Sequence, residues 1–185
     1  MAVGIYNGSA INVRITNGET TVRSVLHEKI HFGDLFTAWN VDDSLASSAS
    51  INVFLRPTGE SLHIRVAAEA GGDATLEMFE DPTTTADGTT FTPVNHRRID
   101  PIPTLQAGVF TDATVTVDGT QLMEYKLPGG SGGNAAGAGA VAFGEMITEV
   151  GKEYLIRLTN DSGQAQIAAV HVELYEEDLE ARFFA

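Results

Sequence analysis

Hydrophobic and polar residues alternate with a period of two along much of the chain. In "SINVFLRP", Ile51, Val53 and Leu55 would share one face of an extended segment. The same alternation recurs in "SLHIRVAAEA", "DATVTVDGTQL", "KEYLIRLTN" and "AAVHVELYEE". Such alternation is typical of antiparallel strands with one buried face. It predicts strands near 51–56, 62–68, 75–80, 114–118, 121–126, 153–159 and 166–175.

Turn sequences separate these segments at short intervals. The turns carry glycine together with aspartate, asparagine or proline, as in "PTGES", "AGGDA", "ADGTT", "VDGTQ" and "NDSGQ". Many short strands joined by frequent turns indicate a sandwich or a barrel. We therefore predict an all-β fold, an antiparallel β-sandwich of jelly-roll type.

Three segments depart from this pattern. In "ETTVRSVLHEKI", the apolar residues Val22, Val25, Leu26 and Ile30 fit a helical stripe, and the acidic tail "EEDLEARFFA" is a second, shorter helix candidate. Residues 127–145, "LPGGSGGNAAGAGAVAFGE", consist mostly of glycine and alanine. Such a composition has few side chains to bury and a high ordering entropy, so we predict a long, mobile Gly/Ala-rich loop there.

Charge excludes some classes of partner. The chain of 185 residues has a formal net charge of -14 and contains no cysteine. A strongly negative surface repels phosphate backbones and anionic lipid, so neither nucleic acid nor a membrane is an expected partner. Without cysteine there is neither a disulfide nor a cysteine-ligated metal site. We also expect no signal peptide and no membrane-spanning segment.

The segment "HEKIH" matches the His-Glu-x-x-His signature of zinc proteases. On a helix, His27 and His31 would share one face and bind zinc, while Glu28 would act as general base. However, no further histidine follows at the spacing of a known third ligand, and Gly33 would end the helix next to His31. A zinc hydrolase thus remains a remote alternative, and we predict no catalytic, cofactor or metal site.

Other charged and aromatic residues offer no catalytic constellation. Adjacent carboxylates such as Glu80–Asp81 and Glu176–Glu177 would point to opposite faces of a strand, so neither forms a catalytic pair. "NHRR", residues 95–98, is the one dense basic spot, and we expect its arginines to pair with carboxylates of the same or a neighbouring chain. Trp39 follows an apolar stretch, which favours a position in the core or an interface.

An ordered set of motifs resembles a family of tailed-phage virion proteins. The set comprises His31-x-Gly33-x-x-Phe36, "FEDPT", the "DGT" turn at Asp87 and the Asn95-x-x-Arg98 element, followed by "FTDATVTVDGTQL", "GKEYLIRLTNDSG" and "VELYEE". The resemblance covers residues 25–177, which we assign to the β-sandwich domain. Residues 1–24, an N-terminal arm, and 178–185, a C-terminal tail, lie outside it. In this resemblance His31 belongs to the family's opening motif.

The resemblance implies a structural protein of the capsid. It implies a decoration or cement protein that binds the shell of the major capsid protein on the outer surface of the virion, after assembly in the host cytoplasm. A homotrimer is expected, because local three-fold positions offer three equivalent contacts. In the arm, Ile11, Val13 and Ile15 alternate with polar residues and predict a strand that pairs with an edge of its own chain or a neighbour's. A glycan- or receptor-binding β-sandwich on the head or tail is the alternative.

Overall fold

The computed structural model describes residues 2–6, 9–16, 19–129, 138–142 and 144–177. These residues form seventeen strands and one helix, α1 (Val25–Phe32). In chain order the strands are β1 (Ala2–Tyr6), β2 (Ser9–Thr16), β3 (Glu19–Ser24), β4 (Phe36–Leu45), β5 (Ser50–Arg56), β6 (Ser61–Ala70), β7 (Ala74–Glu80), β8 (Thr83–Ala86), β9 (Thr89–Thr90), β10 (Val94–Asn95), β11 (Gly108–Thr111), β12 (Thr114–Val117), β13 (Thr120–Leu127), β14 (Ala138–Ala142), β15 (Met146–Ile147), β16 (Tyr154–Asn160) and β17 (Gln166–Glu177).

Two six-stranded antiparallel sheets form the body of the protein. Sheet 1 has the order β10-β4-β17-β6-β14, and β15 also pairs with β6. Sheet 2 has the order β13-β7-β16-β5-β11-β9. Buried side chains from both sheets form one continuous hydrophobic core between them. The predicted all-β antiparallel sandwich is therefore confirmed.

The long strands pair in a nested order. The strand β4 pairs with β17, β5 with β16, β6 with β14 and β15, and β7 with β13. Within this nest, β4, β6 and β17 belong to sheet 1, whereas β5, β7 and β16 belong to sheet 2. The chain therefore crosses from one sheet to the other repeatedly, and its first and last long strands lie side by side.

The period-two pattern assigns side chains to the two faces of each sheet as predicted. In β5, Val53 and Leu55 are completely buried in the core between the sheets. The alternate residue Phe54 is also fully buried, but on the outer face of sheet 2. Burial of such side chains stabilises each by about 1.5–3 kcal/mol relative to exposure. A strand that is apolar on both faces therefore needs a second layer of covering structure.

A two-stranded sheet, β8 paired with β12, provides that covering layer. Below it, Phe54, Phe79, Ala113 and Leu155 form a second, smaller apolar cluster. We call β8 and β12 together the cover sheet. The outer face of sheet 2 is thus shielded from water where its aromatic residues lie, which explains why alternate positions in β5 are apolar on both sides.

Two arginines of sheet 2 bind the turns that flank the cover sheet. Arg56 donates two hydrogen bonds of 2.9 Å to Asp87, and Arg157 donates bonds of 2.6 and 3.1 Å to Asp118. The guanidinium of Arg157 also lies 4.7 Å from the centre of the Phe79 ring. Bidentate pairs stacked on aromatic rings are the geometry to which arginine is suited.

The N-terminal strands form a sheet of their own. In this arm sheet, β2 pairs with β1 and β3, and within the described residues none of the three pairs with a sandwich strand. The alternating residues Ile11, Val13 and Ile15 lie in the central strand, as a strand prediction for this segment requires. The edge with which that strand pairs belongs to the arm itself.

Some elements differ from the predictions. Residues 19–24 form β3, so only the second half of the predicted helix in "ETTVRSVLHEKI" is helical. Within the predicted Gly/Ala-rich loop, Ala138–Ala142 is a strand that pairs with β6, whereas 130–137 and 143 lie outside the described residues. In the tail helix candidate "EEDLEARFFA", Glu176 and Glu177 belong to β17, and 178–185 lies outside the described residues. Each of the seven predicted strands overlaps an observed one.

Candidate functional site

The His-Glu-x-x-His motif lies on the short helix α1. The helix ends at Phe32 because Gly33 adopts a positive φ of 81°. There the amides of Gly33 and Asp34 donate to the carbonyl oxygens of Ile30 and Lys29 at 3.1 and 2.8 Å. This is a Schellman motif, for which glycine is the favoured residue. The glycine therefore ends the helix next to the second histidine, as the sequence indicated.

The helix brings the two histidines of the motif together. The Nε2 atoms of His27 and His31 lie 2.9 Å apart, and both side chains are exposed. Within the described part of the chain, no group of three or more histidine, aspartate and glutamate side chains is arranged to hold a metal ion. The pair could offer a metal two nitrogen ligands, whereas a catalytic zinc site has three protein ligands.

The opposite face of α1 joins an ionic cluster of Lys29, His63, Glu145, Tyr175 and Glu177, in which Glu145 is exposed and the other four residues are buried. The Lys29 ammonium lies 3.7 Å from the Glu177 carboxylate and 4.6 Å from the centre of the Tyr175 ring. His63 Nε2 lies 3.0 Å from the same carboxylate, and His63 Nδ1 lies 2.9 Å from the Tyr175 hydroxyl. The cluster therefore connects the helix to β6 and β17 of sheet 1.

Glu145 completes this cluster from the segment between β14 and β15. Its carboxylate contacts both the Tyr175 hydroxyl and His63 Nδ1. Burial alone would raise the pKa of Glu145, but the hydrogen bonds from Tyr175 and His63 outweigh burial and lower it. A cation and carboxylates packed against one another in this way join the helix to sheet 1.

The adjacent carboxylates bind cations and backbone amides. Glu176 accepts hydrogen bonds from the backbone of 106–107, whereas Glu177 faces Lys29 and His63, so the two diverge as predicted for a strand. Glu80 and Asp81 do not diverge as predicted, since their carboxylates lie 2.7 and 3.5 Å from the same Lys152 ammonium; Asp81 lies beyond the end of β7 and has a positive φ of 53°. Glu80 also accepts a hydrogen bond of 3.0 Å from the Tyr154 hydroxyl. The Lys152 and Tyr154 hydrogen bonds lower the pKa of Glu80. Burial raises the pKa of Tyr154 to about 12.

The outer face of sheet 1 carries an exposed aromatic residue. Trp39, which keeps 38% of its surface exposed, packs edge-on against Phe91 with ring centres 5.0 Å apart. His171 of β17 lies directly opposite Trp39, and the small residue Ala67 lies opposite His171 on the other side. Trp39 is thus outside the core, on the outer face of sheet 1.

A groove of about 500 Å³ lies between residues 90–95 and 102–109. Its apolar lining includes Phe36, Phe91, Pro93, Val94, Ile102, Pro103, Leu105 and Val109, with Arg98 as its single charged member. Val94 and Ile102 are 38% and 39% exposed, and the neighbouring Ile99 is 73% exposed. Apolar side chains held at a concave surface are typical of a binding site for another apolar group.

The basic segment 95–98 lies next to this groove, and Asn95 anchors it. Asn95 is buried, where its side-chain amide donates to the Gly33 carbonyl at 2.6 Å and its oxygen accepts from the Arg97 amide at 2.7 Å. It therefore ties this segment to the end of α1.

Arg97 and Arg98 form no ion pair with a described residue. The lysines and arginines that do form such ion pairs are Lys29, Arg56, Arg65, Lys126, Lys152 and Arg157.

Comparisons with protein-family models, curated proteins and solved structures found no match to this chain. Within the described residues, no helix has the length and apolar character needed to cross a membrane. The candidate sites are therefore those that the geometry itself defines: the arm sheet, the Trp39 face of sheet 1 and the groove beside Arg98. Sequence analysis did not identify the groove, because its lining comes from segments separated along the chain.

Proposed function

We propose that this chain is a structural virion protein that decorates the outer surface of a tailed-phage capsid. In this proposal it binds the shell of the major capsid protein, uses no cofactor and catalyses no reaction. The observation that carries the proposal is the arm sheet, whose strands pair with one another and with no described strand of the sandwich. A protein built as a rigid body with a separate β-arm can attach through the arm while the body stays outside the shell.

The sandwich is proposed to be a jelly roll. The nested pairing of β4 with β17, β5 with β16, β6 with β14 and β7 with β13 supports it. Jelly rolls are eight-stranded double sheets that recur in viral capsid proteins and lectins. Fold alone does not define function, so the topology is compatible with decoration without requiring it.

The negative charge supports a position against protein rather than nucleic acid. With a formal net charge of -14, the chain is repelled by DNA and attracted by a basic protein surface. Assembly as a homotrimer is part of the proposal, because three copies at a local three-fold position multiply a weak contact through effective concentration. Light scattering of the purified chain would measure its oligomeric state directly.

The experiment that tests the function is co-sedimentation with shells of the major capsid protein from the same phage. The intact chain should sediment with the shells, whereas a chain without residues 1–24 should remain in the supernatant. The melting temperature of the shortened chain is the control, since its sandwich sheets should still form. Equal binding by both forms would refute the role of the arm, and no binding by the intact chain would refute decoration.

A glycan-binding role on the virion is the second candidate. It is favoured by Trp39, whose exposed ring shares the outer face of sheet 1 with His171. Aromatic rings on a flat face can stack against sugars, and the chain has only one tryptophan. Glycan binding measured by calorimetry, lost in Trp39→Ala, would favour this role over decoration.

A further inference from the structure

The groove beside Arg98 has an apolar lining but an accessible mouth. Val94 and Ile102 expose more than a third of their surface although both line it. Water at such a surface is displaced favourably by an apolar group, at about 25 cal/mol per Å² buried. An occupant of this groove therefore needs large apolar side chains, and it needs a carboxylate to complement Arg98.

The last described strand ends beside this groove. Glu176 near the end of β17 accepts hydrogen bonds from the amides of Gln106 and Ala107 at 2.9 and 2.7 Å. Ala107 and its neighbour Leu105 line the groove. The eight residues 178–185 that follow can extend over about 26 Å, so the whole groove is within their reach.

The chemistry of this C-terminal segment matches the groove. The segment "DLEARFFA" contains Leu179 and two adjacent phenylalanines, Phe183 and Phe184. Its two carboxylates, Asp178 and Glu180, outnumber its one cation. Arg97 and Arg98 form no ion pair with a described residue, so they are the nearby cations with which these carboxylates can pair.

We propose that residues 178–185 bind the groove of their own chain, with the phenylalanines against its apolar lining and the carboxylates towards Arg98. Attachment through Glu176 keeps the segment at a high effective concentration near the groove, which favours binding within one chain over binding between chains. The segment then covers this apolar groove and secures the 102–109 strip that leads into β11.

Amide hydrogen exchange and fluorescence of the full-length chain test this proposal. The double variant Phe183→Ser/Phe184→Ser should accelerate exchange across 102–109 by about tenfold or more, because the strip loses its cover. It should also change the emission of Trp39, which contacts the groove residue Phe91. Phe32→Ser is the matched control, since Phe32 is 66% exposed on α1 and does not line the groove. Exchange at 102–109 equal to that of the control would overturn the proposal.

Variants on the groove side provide an independent test. Ile102→Glu places a carboxylate in the apolar lining and should accelerate exchange as the tail variant does. Ile99→Glu makes the same change three residues away, at a side chain outside the groove, and should leave exchange unchanged. Combining Ile102→Glu with the tail variant should add no further acceleration, whereas an additive effect would contradict a shared contact. Protection that increases with protein concentration would show that a second copy supplies the segment, which would overturn binding within one chain.

Discussion

At the scale of single residues, two Asp-Gly turns perform the same structural task. Gly88 and Gly119 both have positive φ, at 89° and 82°. In each turn the preceding aspartate binds an arginine of sheet 2, Arg56 at the first and Arg157 at the second. The repeated "DGT" letters thus indicate two anchored turns, although they do not reveal which arginines bind them.

Replacing either turn glycine by alanine should destabilise the fold. A Cβ atom on Gly88 would lie 2.1 Å from the Thr111 carbonyl oxygen, and on Gly119 it would lie 2.2 Å from that of Glu80. Backbone must move to relieve these contacts, and positive φ adds strain, so we expect a loss of at least about 2 kcal/mol in the free energy of unfolding. Urea denaturation measures this loss. Gly59→Ala is the control, because nothing lies within 4 Å of its Cβ position; an equal effect there would contradict the explanation.

At the scale of elements, sequence predicted best where alternation was long. The strands β5, β6, β16 and β17 were found because several consecutive apolar positions share one face. The strand β3 was misread because Val22, followed by Val25 and Leu26, fits both a strand and a helical stripe. The short strands β9 and β10 contain two residues each, which is too few to show a periodic pattern of apolar residues.

The helix α1 carries the His-Glu-x-x-His sequence and brings its two histidines together, but the described residues do not complete a metal site there. The two histidines face one another as the protease signature requires, yet the described residues supply no metal-binding group of three. The stabilising contact of the helix is instead Lys29, whose ammonium reaches Glu177 from the other face. That contact was not predictable, because it depends on β17 ending beside a helix about 150 residues earlier.

We therefore predict that neither the fold nor assembly depends on a metal at α1. Replacing His27 and His31 by alanine should change the melting temperature by no more than about 2 °C, because both side chains are exposed. A metal bound to the native state would stabilise it by linkage, so a chelator should leave the melting temperature of the unchanged protein constant. Calorimetry with and without chelator measures both effects. A fall in melting temperature on chelation that is absent in the double variant would contradict the prediction and favour a zinc site at α1.

At the scale of the whole molecule, nested pairing explains why sequence analysis identified neither the groove nor the residues that share a face with Trp39. The groove joins Phe36 at the start of the sandwich with Ile102 and Leu105 far along the chain. The Trp39 face combines β4, β17 and β6, and β17 begins more than 100 residues after β4. Composition could predict an acidic all-β body, but only the pairing of distant strands determines which side chains share a surface.

The distribution of carboxylates leads to a prediction about acid stability. Hydrogen bonds from Lys152 and Tyr154 lower the pKa of Glu80 below its ordinary 4.5, and the Arg56 hydrogen bond lowers that of Asp87 below 3.8. A carboxyl whose pKa is lower in the folded state binds protons more readily when unfolded. The stability that such a carboxyl contributes is therefore complete above its ordinary pKa, and it is lost as the pH falls through the pKa of the folded state. The free energy of unfolding should be nearly constant above about pH 5 and should decrease below pH 4.5.

The variant Glu80→Gln separates this contribution from general acid effects. It should be less stable than the unchanged chain near pH 6, where the ion pair with Lys152 is lost, and its stability should fall less steeply on acidification. Glu60→Gln is the matched control, since it removes an exposed carboxylate that forms no ion pair with a described residue. Urea denaturation between pH 3 and 7 yields the three curves. The Glu80 contribution disappears once Glu80 is protonated in both the folded and the unfolded state. The Glu80→Gln curve should therefore approach that of the unchanged chain at the acid end. Curves that stay a constant distance apart would contradict a pH-dependent contribution from Glu80.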